Sequence, residues 1–192
     1  MMPSDFLKIL SRAAMLKTTT RHCVTEKNRK ESVADHSWRI ALMAMLLSKE
    51  PEFQDTDMNK VIRMCLIHDL GETFTGDVPA FEKTDADTKN EDALFYDWVR
   101  SFPAAQRLEW LELLNEMEEL QTKEAKTYKA LDKLEAVISH NESDLSTWLP
   151  LEYDLQLTYG KENVQFSEYL KAFSERIDEW TINKIKGLAN LQ

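Results

Sequence analysis

The sequence predicts an all-α fold of about seven or eight helices, and three observations carry that expectation. Glycine and proline are scarce, 4 and 5 in 192 residues, so few turns are obligatory. Apolar residues recur at steps of three and four almost throughout, which is the helical period. No segment shows sustained strand alternation bounded by hairpin turns. The pattern fits the non-bundle class of helical packing. One domain is expected over residues 1–192, and an apolar share of 43% is enough for a sizeable core.

The elements follow in order. Phe6, Leu10, Ala13 and Ala14 mark a first helix over residues 5–16. A polar, basic stretch over 17–29 comes next, and its Thr18-Thr19-Thr20 is poorly suited to a helix interior. Ser32 can cap the second helix, with Asp35 completing a variant capping box. Ile40, Met43, Met45, Leu46 and Leu47 carry it to about residue 49, and Pro51 cannot continue it. Asp57 caps a helix over 58–68, while Gly71 and then Gly76-Asp77-Val78-Pro79 mark a loop or broken helix. Long helical patterns cover 85–102, 104–120 and 122–142, and Pro103 suits the first turn of the second of these. Phe95, Trp98 and Trp110 read as core or dimer contacts. Pro150 and Gly160 bracket a shorter helix. Ser167 starts the last one, whose apolar positions are Phe173, Ile177, Trp180, Ile182 and Ile185.

Charge narrows the function. The formal net charge is −10, so a nucleic-acid polymer is not an expected partner. A small anion remains admissible where a local cation reverses the field. Cys23 and Cys65 form no CxxC and no disulfide-dense pattern, which points to reducing cytoplasm. The longest strongly apolar run is residues 40–47, too short to span a bilayer, so no membrane partner is expected.

The unusual feature is a set of metal-ligating residue types on apolar helical faces. His36 lies one turn before Ile40, and His68 lies one turn after Met64 with Asp69 directly behind it. Asp132 stands between Leu131 and Leu134. A buried carboxylate is costly unless paired or bound to a cation, and two are expected beside two imidazoles. A divalent ion would satisfy all four, with Mn, Fe, Co, Ni or Zn suiting nitrogen and oxygen donors. Neighbouring helical residues point about 100° apart, so His68 and Asp69 can share an ion only near a helix end, which Gly71 supplies.

These residues sit in three ordered motifs: Glu31-Ser32-Val33-Ala34-Asp35-His36-Ser37, Leu66-Ile67-His68-Asp69-Leu70-Gly71-Glu72, and Thr75-Gly76-Asp77-Val78-Pro79. With Asp132 they resemble the H…HD…D signature of the HD-domain metal-dependent phosphohydrolases, in the branch containing the 5′-deoxynucleotidases. The resemblance covers residues 7–140, the C-terminal third matching only as helices. It implies a single HD domain whose metal-site core spans about residues 16–142, with C-terminal helices over 151–190 packed on it. It implies that His36, His68, Asp69 and Asp132 hold one divalent ion (Mn, Co, Fe, Ni, Zn or Mg). Glu72 would be the general acid or base. Asp77 would accept from the sugar hydroxyl, and Arg21 would hold the phosphate. Lys83 or Lys89 would supply a second phosphate cation.

His22 departs from the branch, which can carry an aromatic residue beside the sugar at that place. Glu135 and Asp35 are candidate partners of the ligand histidines. His22 and His140 are the only histidines outside the signature, which suits one metal better than two. Cys65 is expected to be an inert buried thiol. The implied substrate is a small phosphate ester, a (deoxy)nucleoside 5′-monophosphate, and a homodimer is the implied assembly. Two alternatives are an HD hydrolase of another phosphate ester or pyrophosphate, and a non-catalytic helical binding protein.

Overall fold

Proline in the first helical turn loses no hydrogen bond, and Pro3 opens α1 (Pro3–Ala13) in the computed structural model, which describes residues 1–25 and 29–187. A 3₁₀ turn, Ala14–Lys17, replaces the last turn of the helix expected over 5–16. The next stretch corrects the sequence reading. Residues 20–24 form β1 (Thr20–Val24), paired antiparallel with β2 (Lys30–Ser32). Strands of five and three residues are too short to display alternation, and the β-branched threonines favour extended backbone. Residues 26–28 of that expected polar stretch lie outside the described residues.

The capping box forms as read. Ser32 Oγ accepts from the Asp35 amide at 3.1 Å, and Asp35 accepts from the Ser32 amide at 2.9 Å. It starts α2 (Val33–Leu47) directly from the hairpin. The Asp57 side chain likewise caps α3 (Met58–Ile67), accepting from the Lys60 amide at 3.1 Å. The chain then turns through residues 68–71 into a single-turn helix, α4 (Glu72–Thr75). Gly71 keeps helical dihedrals, so the path is a bent helix rather than an open loop.

Then come α5 (Asp85–Arg100) and α6 (Ala104–Glu119), followed by α7 (Lys123–Glu142). No glycine ends α6; Leu120 itself takes the left-handed conformation at φ 50°. The helix bracketed by Pro150 and Gly160 is only one turn, α8 (Glu152–Leu155), within a run of turns. The last is α9 (Glu168–Ile185). Residues 188–190, where the C-terminal helices were expected to end, lie outside the described residues. Among the described residues this gives nine α-helices, three 3₁₀ turns and one two-stranded sheet, so the fold class is all-α.

Helices α2, α3 and α7 pack against one another around the core, with Ile40, Ala44, Val61, Met64, Leu131 and Leu134 all sealed from solvent. Because α7 is covered on most sides, buried residues appear all round it and its amphipathic signal is weak. Helix α9 covers α7 through Leu170 and Ile177, and through Asn141 donating to Thr181 Oγ1 at 2.8 Å. Ile182, expected inside, is exposed; the buried positions nearby are Ser174 and Thr181. Trp98, Phe102 and Trp110 form an aromatic cluster, centroids 4.8–6.3 Å apart, which supports the core reading. Among the described residues no helix is long and apolar enough to cross a membrane.

Candidate active site

The three central helices bring the four predicted ligands to one point. His36 projects from the first turn of α2 and is fully buried. His68 is the residue at which α3 ends, so Asp69 already follows the turn and the adjacent pair converges. Asp132 comes from the middle of α7. His36 Nε2 lies 3.2 Å from His68 Nε2, 3.3 Å from Asp132 Oδ1 and 3.7 Å from Asp69 Oδ2. His68 Nε2 lies 2.9 Å from Asp69 Oδ2 and 3.8 Å from Asp132 Oδ1.

The hydrogen bonds around this cluster test whether a cation fits. His68 Nδ1 donates to the Cys65 carbonyl at 2.9 Å, which leaves Nε2 as an acceptor. His36 Nδ1 faces Glu135 Oε2 and donates to it, which leaves its Nε2 in the same state. Two nitrogen lone pairs and two carboxylate oxygens thus face one another with no donor among them. Such a set holds together only around a positive charge, and ligand bonds of about 2.0–2.1 Å would give donor separations close to those observed. Without a metal the charge is a proton. Burial and Arg21 lower the His36 pKa, but Glu135 and Asp132 outweigh them and lift it to about 9. Burial by itself would raise Asp69 and Asp132, yet the imidazoles, and two lysines at Asp132, hold both below the usual carboxylate range.

Glu135 anchors this centre, as expected, and is itself held by residues that sequence reasoning passed over. Arg39 Nε donates to Glu135 Oε1 at 2.6 Å, and Arg21 Nη1 donates to Glu135 Oε2 at 3.1 Å and to Glu31 Oε2 at 2.8 Å. Ser139 Oγ sits between Glu31 Oε1 and Glu135 Oε1 at 2.7 and 2.8 Å. Glu31 opens the first motif without an assigned role, and Arg39 and Ser139 lie outside the motifs; only helical spacing, Arg39 after His36 and Ser139 after Glu135, hints at these two. Asp35 does not touch a ligand histidine. It is consumed by the capping box and by Arg29 Nη1 at 2.7 Å. The Cys65 thiol is fully buried, and burial pushes its pKa well up, as an inert core group requires.

A cavity of about 190 Å³ opens beside the cluster, lined by Arg21, His22, Glu72, Asp77 and Lys83. Glu72 stands on the turn that survives Gly71. It is buried, and its Oε2 has no hydrogen-bond partner. Burial raises its pKa well above the carboxylate range, with Asp69, Asp77 and Glu91 adding to the effect. Burial also raises Asp77, which shares a hydrogen bond with Glu72. Lys83 donates to Glu91 Oε2 at 2.8 Å at the rim. Lys89 is exposed on α5 and does not line the cavity, which removes it from the site. Among the described residues Arg21 donates only through Nη1, so its Nε and Nη2 remain without a protein partner.

The same cavity is also lined by groups the motifs do not contain. His22 Nε2 lies 3.3 Å from Glu152 Oε1, and His140 Nε2 lies 2.9 Å from the same oxygen. Phe81 meets the His22 ring edge-on at 5.7 Å. Glu152 is 1% exposed. In the sequence it is one glutamate in a short helix, and nothing there signals that α8 folds back onto β1 and α7.

Comparison with known proteins agrees with this geometry. The HD domain family matches residues 13–174. The 5′-deoxynucleotidase HDDC2 of Dictyostelium discoideum is 32% identical over 70% of this chain and 73% of its own length. Its human counterpart of the same name is 31% identical over 72% of this chain and 68% of its own. A solved structure described as a predicted metal-dependent phosphohydrolase from Magnetospirillum magnetotacticum superposes with a TM-score of 0.79 at 27% identity. It covers 97% of this chain and 95% of its own.

Proposed function

Since the chain belongs to the HD domain family and is a metal-dependent phosphohydrolase, we propose that it is a 5′-nucleotidase, hydrolysing (deoxy)nucleoside 5′-monophosphates to nucleoside and phosphate. The observation that carries this reading is the convergence of His36, His68, Asp69 and Asp132, three of which (His36, Asp69 and Asp132) line the cavity that also holds Glu72 and Asp77. His36, His68, Asp69 and Asp132 would hold the ion, its identity among Mn, Co, Fe, Ni, Zn and Mg being open to experiment. When bound, that ion supplies Lewis-acid polarisation of a phosphoryl oxygen and lowers the pKa of water.

The chain's own residues do the rest. Arg21 presents Nε and Nη2, a planar fork, to phosphate oxygens while Nη1 stays fixed on Glu31 and Glu135. Lys83 adds positive charge at the rim. Glu72, pushed up by burial to about 11, keeps a proton available near neutral pH, and burial also raises the neighbouring Asp77. Glu72 hands a proton to the departing 5′-oxygen. Asp77 accepts from a sugar hydroxyl, and His22 and Phe81 form the wall beside the sugar.

The two free thiols, both buried, suit a reducing cytoplasm. A second copy of the chain covers the apolar groove between α1, α2, α3 and α6, where Leu7 and Trp38 are 62% and 63% exposed. The test of the activity is a phosphate-release screen of all ribo- and deoxynucleoside monophosphates against a metal matrix. Phosphate release from at least one monophosphate is expected. Inactivity on all of them, or release of pyrophosphate from a longer substrate instead, overturns the nucleotidase assignment.

A further inference from the structure

We infer that His22, His140 and Glu152 form a second site for a first-row divalent cation, lining the same cavity as the first. One donor atom from each lies within 4.8 Å of the other two. The Glu152–imidazole separations, 2.9 and 3.3 Å, match the edges of a coordination polyhedron with bonds of about 2.0–2.2 Å. Two imidazoles and one carboxylate suit ions of the Zn, Co or Fe class.

The site is oriented as the first one is. His140 Nδ1 donates to the Ala136 carbonyl at 3.0 Å, which aims its Nε2 at Glu152 Oε1, with a proton between them in the metal-free chain. His68 uses the Cys65 carbonyl in the same way. The Leu149 amide donates to Glu152 Oε2 at 2.6 Å, which fixes the carboxylate and leaves Oε1 for a ligand. All three residues line the cavity, so an ion with three protein ligands keeps open positions toward a bound ester. In the metal-free chain the buried carboxylate is balanced by a proton shared with His140, and the cation takes its place. The elements that meet here are β1, α7 and α8, which is why the motif text suggests only one ion.

The experiment uses the full chain, equilibrated with Co(II) or Zn(II) and then analysed for metal content and, for Co(II), by its visible spectrum. The wild type is expected to saturate at about two ions per chain. His22→Ala and Glu152→Gln are each expected to bind about one, while His68→Ala loses the other. Glu152 is fully buried, so circular dichroism checks its variant. The half-exposed His22 provides a variant that does not depend on the core. Saturation of the wild type at one ion, or two ions retained in folded His22→Ala, overturns the proposal. The His68-dependent ion is counted separately, so failure here leaves the nucleotidase reading standing, and loss of that ion alone would strike the reading and not this site.

Discussion

At the scale of single residues, the site is built from groups whose charge state is set by what surrounds them. Glu72 has a buried oxygen without a partner and a raised pKa, whereas Asp69 is held ionised by two imidazoles. Environments that separate two carboxyls in this way assign one to proton transfer and the other to ligation. Replacing Glu72 by Gln is therefore expected to lower kcat by about 10²–10⁴ while metal content is retained. Phosphate-release kinetics alongside metal analysis check it, and loss of metal would instead make Glu72 a ligand. Arg21 is as much structural as functional, because Glu135 and Glu31 are buried and share its Nη1. Arg21→Met leaves an uncompensated buried charge, and urea unfolding should show a loss of about 3–5 kcal/mol. A loss of activity with stability intact would show that Arg39 alone sustains both acids.

Among the elements, helix ends do much of the positioning. The end of α3 makes the His68-Asp69 doublet converge, and the capping box at Ser32 sets the register that turns His36 inward. A remote cap completes α9: Glu52 accepts from the Glu168 and Tyr169 amides at 3.1 and 2.9 Å. Burial slightly opposes its charge, but those amides, Ser167 and Lys123 lower its pKa overall. A depressed carboxyl stabilises the fold above its ordinary value and loses that contribution as pH falls through the folded one. Glu52→Gln should then cost about 0.5–1 kcal/mol at neutral pH and close to nothing in strong acid, as read from urea melts at the two pH values. A second element-scale contact is at Gly160, which has φ +72° and where a Cβ would stand 2.5 Å from Lys133 Cβ. Gly160→Ala should lower stability by about 1–3 kcal/mol, visible as a drop in Tm, because the turn after α8 must move off α7.

For the whole molecule, the balance is between a net charge of −10 and a cavity wall carrying Arg21, Lys83, Lys129 and Lys133. In the proposed reading these cations, together with a divalent ion at the acidic cluster, would give an anionic ester a local field that the surface as a whole does not provide. The apolar stripe that marked α1 in the sequence buries none of its residues. With Trp38 and Leu66 it forms one side of a groove of about 930 Å³. If, as proposed, a second copy meets that face, light scattering gives a dimer that Leu7→Glu converts to monomer. A monomeric wild type at assay concentrations would refute this assembly.

The sequence by itself determined the helical class and the caps at Ser32 and Asp57, and it put forward His36, His68, Asp69, Asp132, Glu72 and Asp77 as candidates, which the fold brings together. Each of those is a local matter of period, capping chemistry, or an ionisable group placed on an apolar face. The tertiary structure alone decided the β1–β2 hairpin, the loss of Asp35 and Lys89 from the site, and the support of Glu135 by Arg21, Arg39 and Ser139. It also decided that Glu152 faces His22 and His140. The pairings of Glu135 with Arg21 and Arg39 and of Glu152 with His22 and His140 depend on which buried charges meet across elements 12 to 130 residues apart. A charge on a helix gives no local sign of its partner, because burial and pairing are settled only when the helices pack.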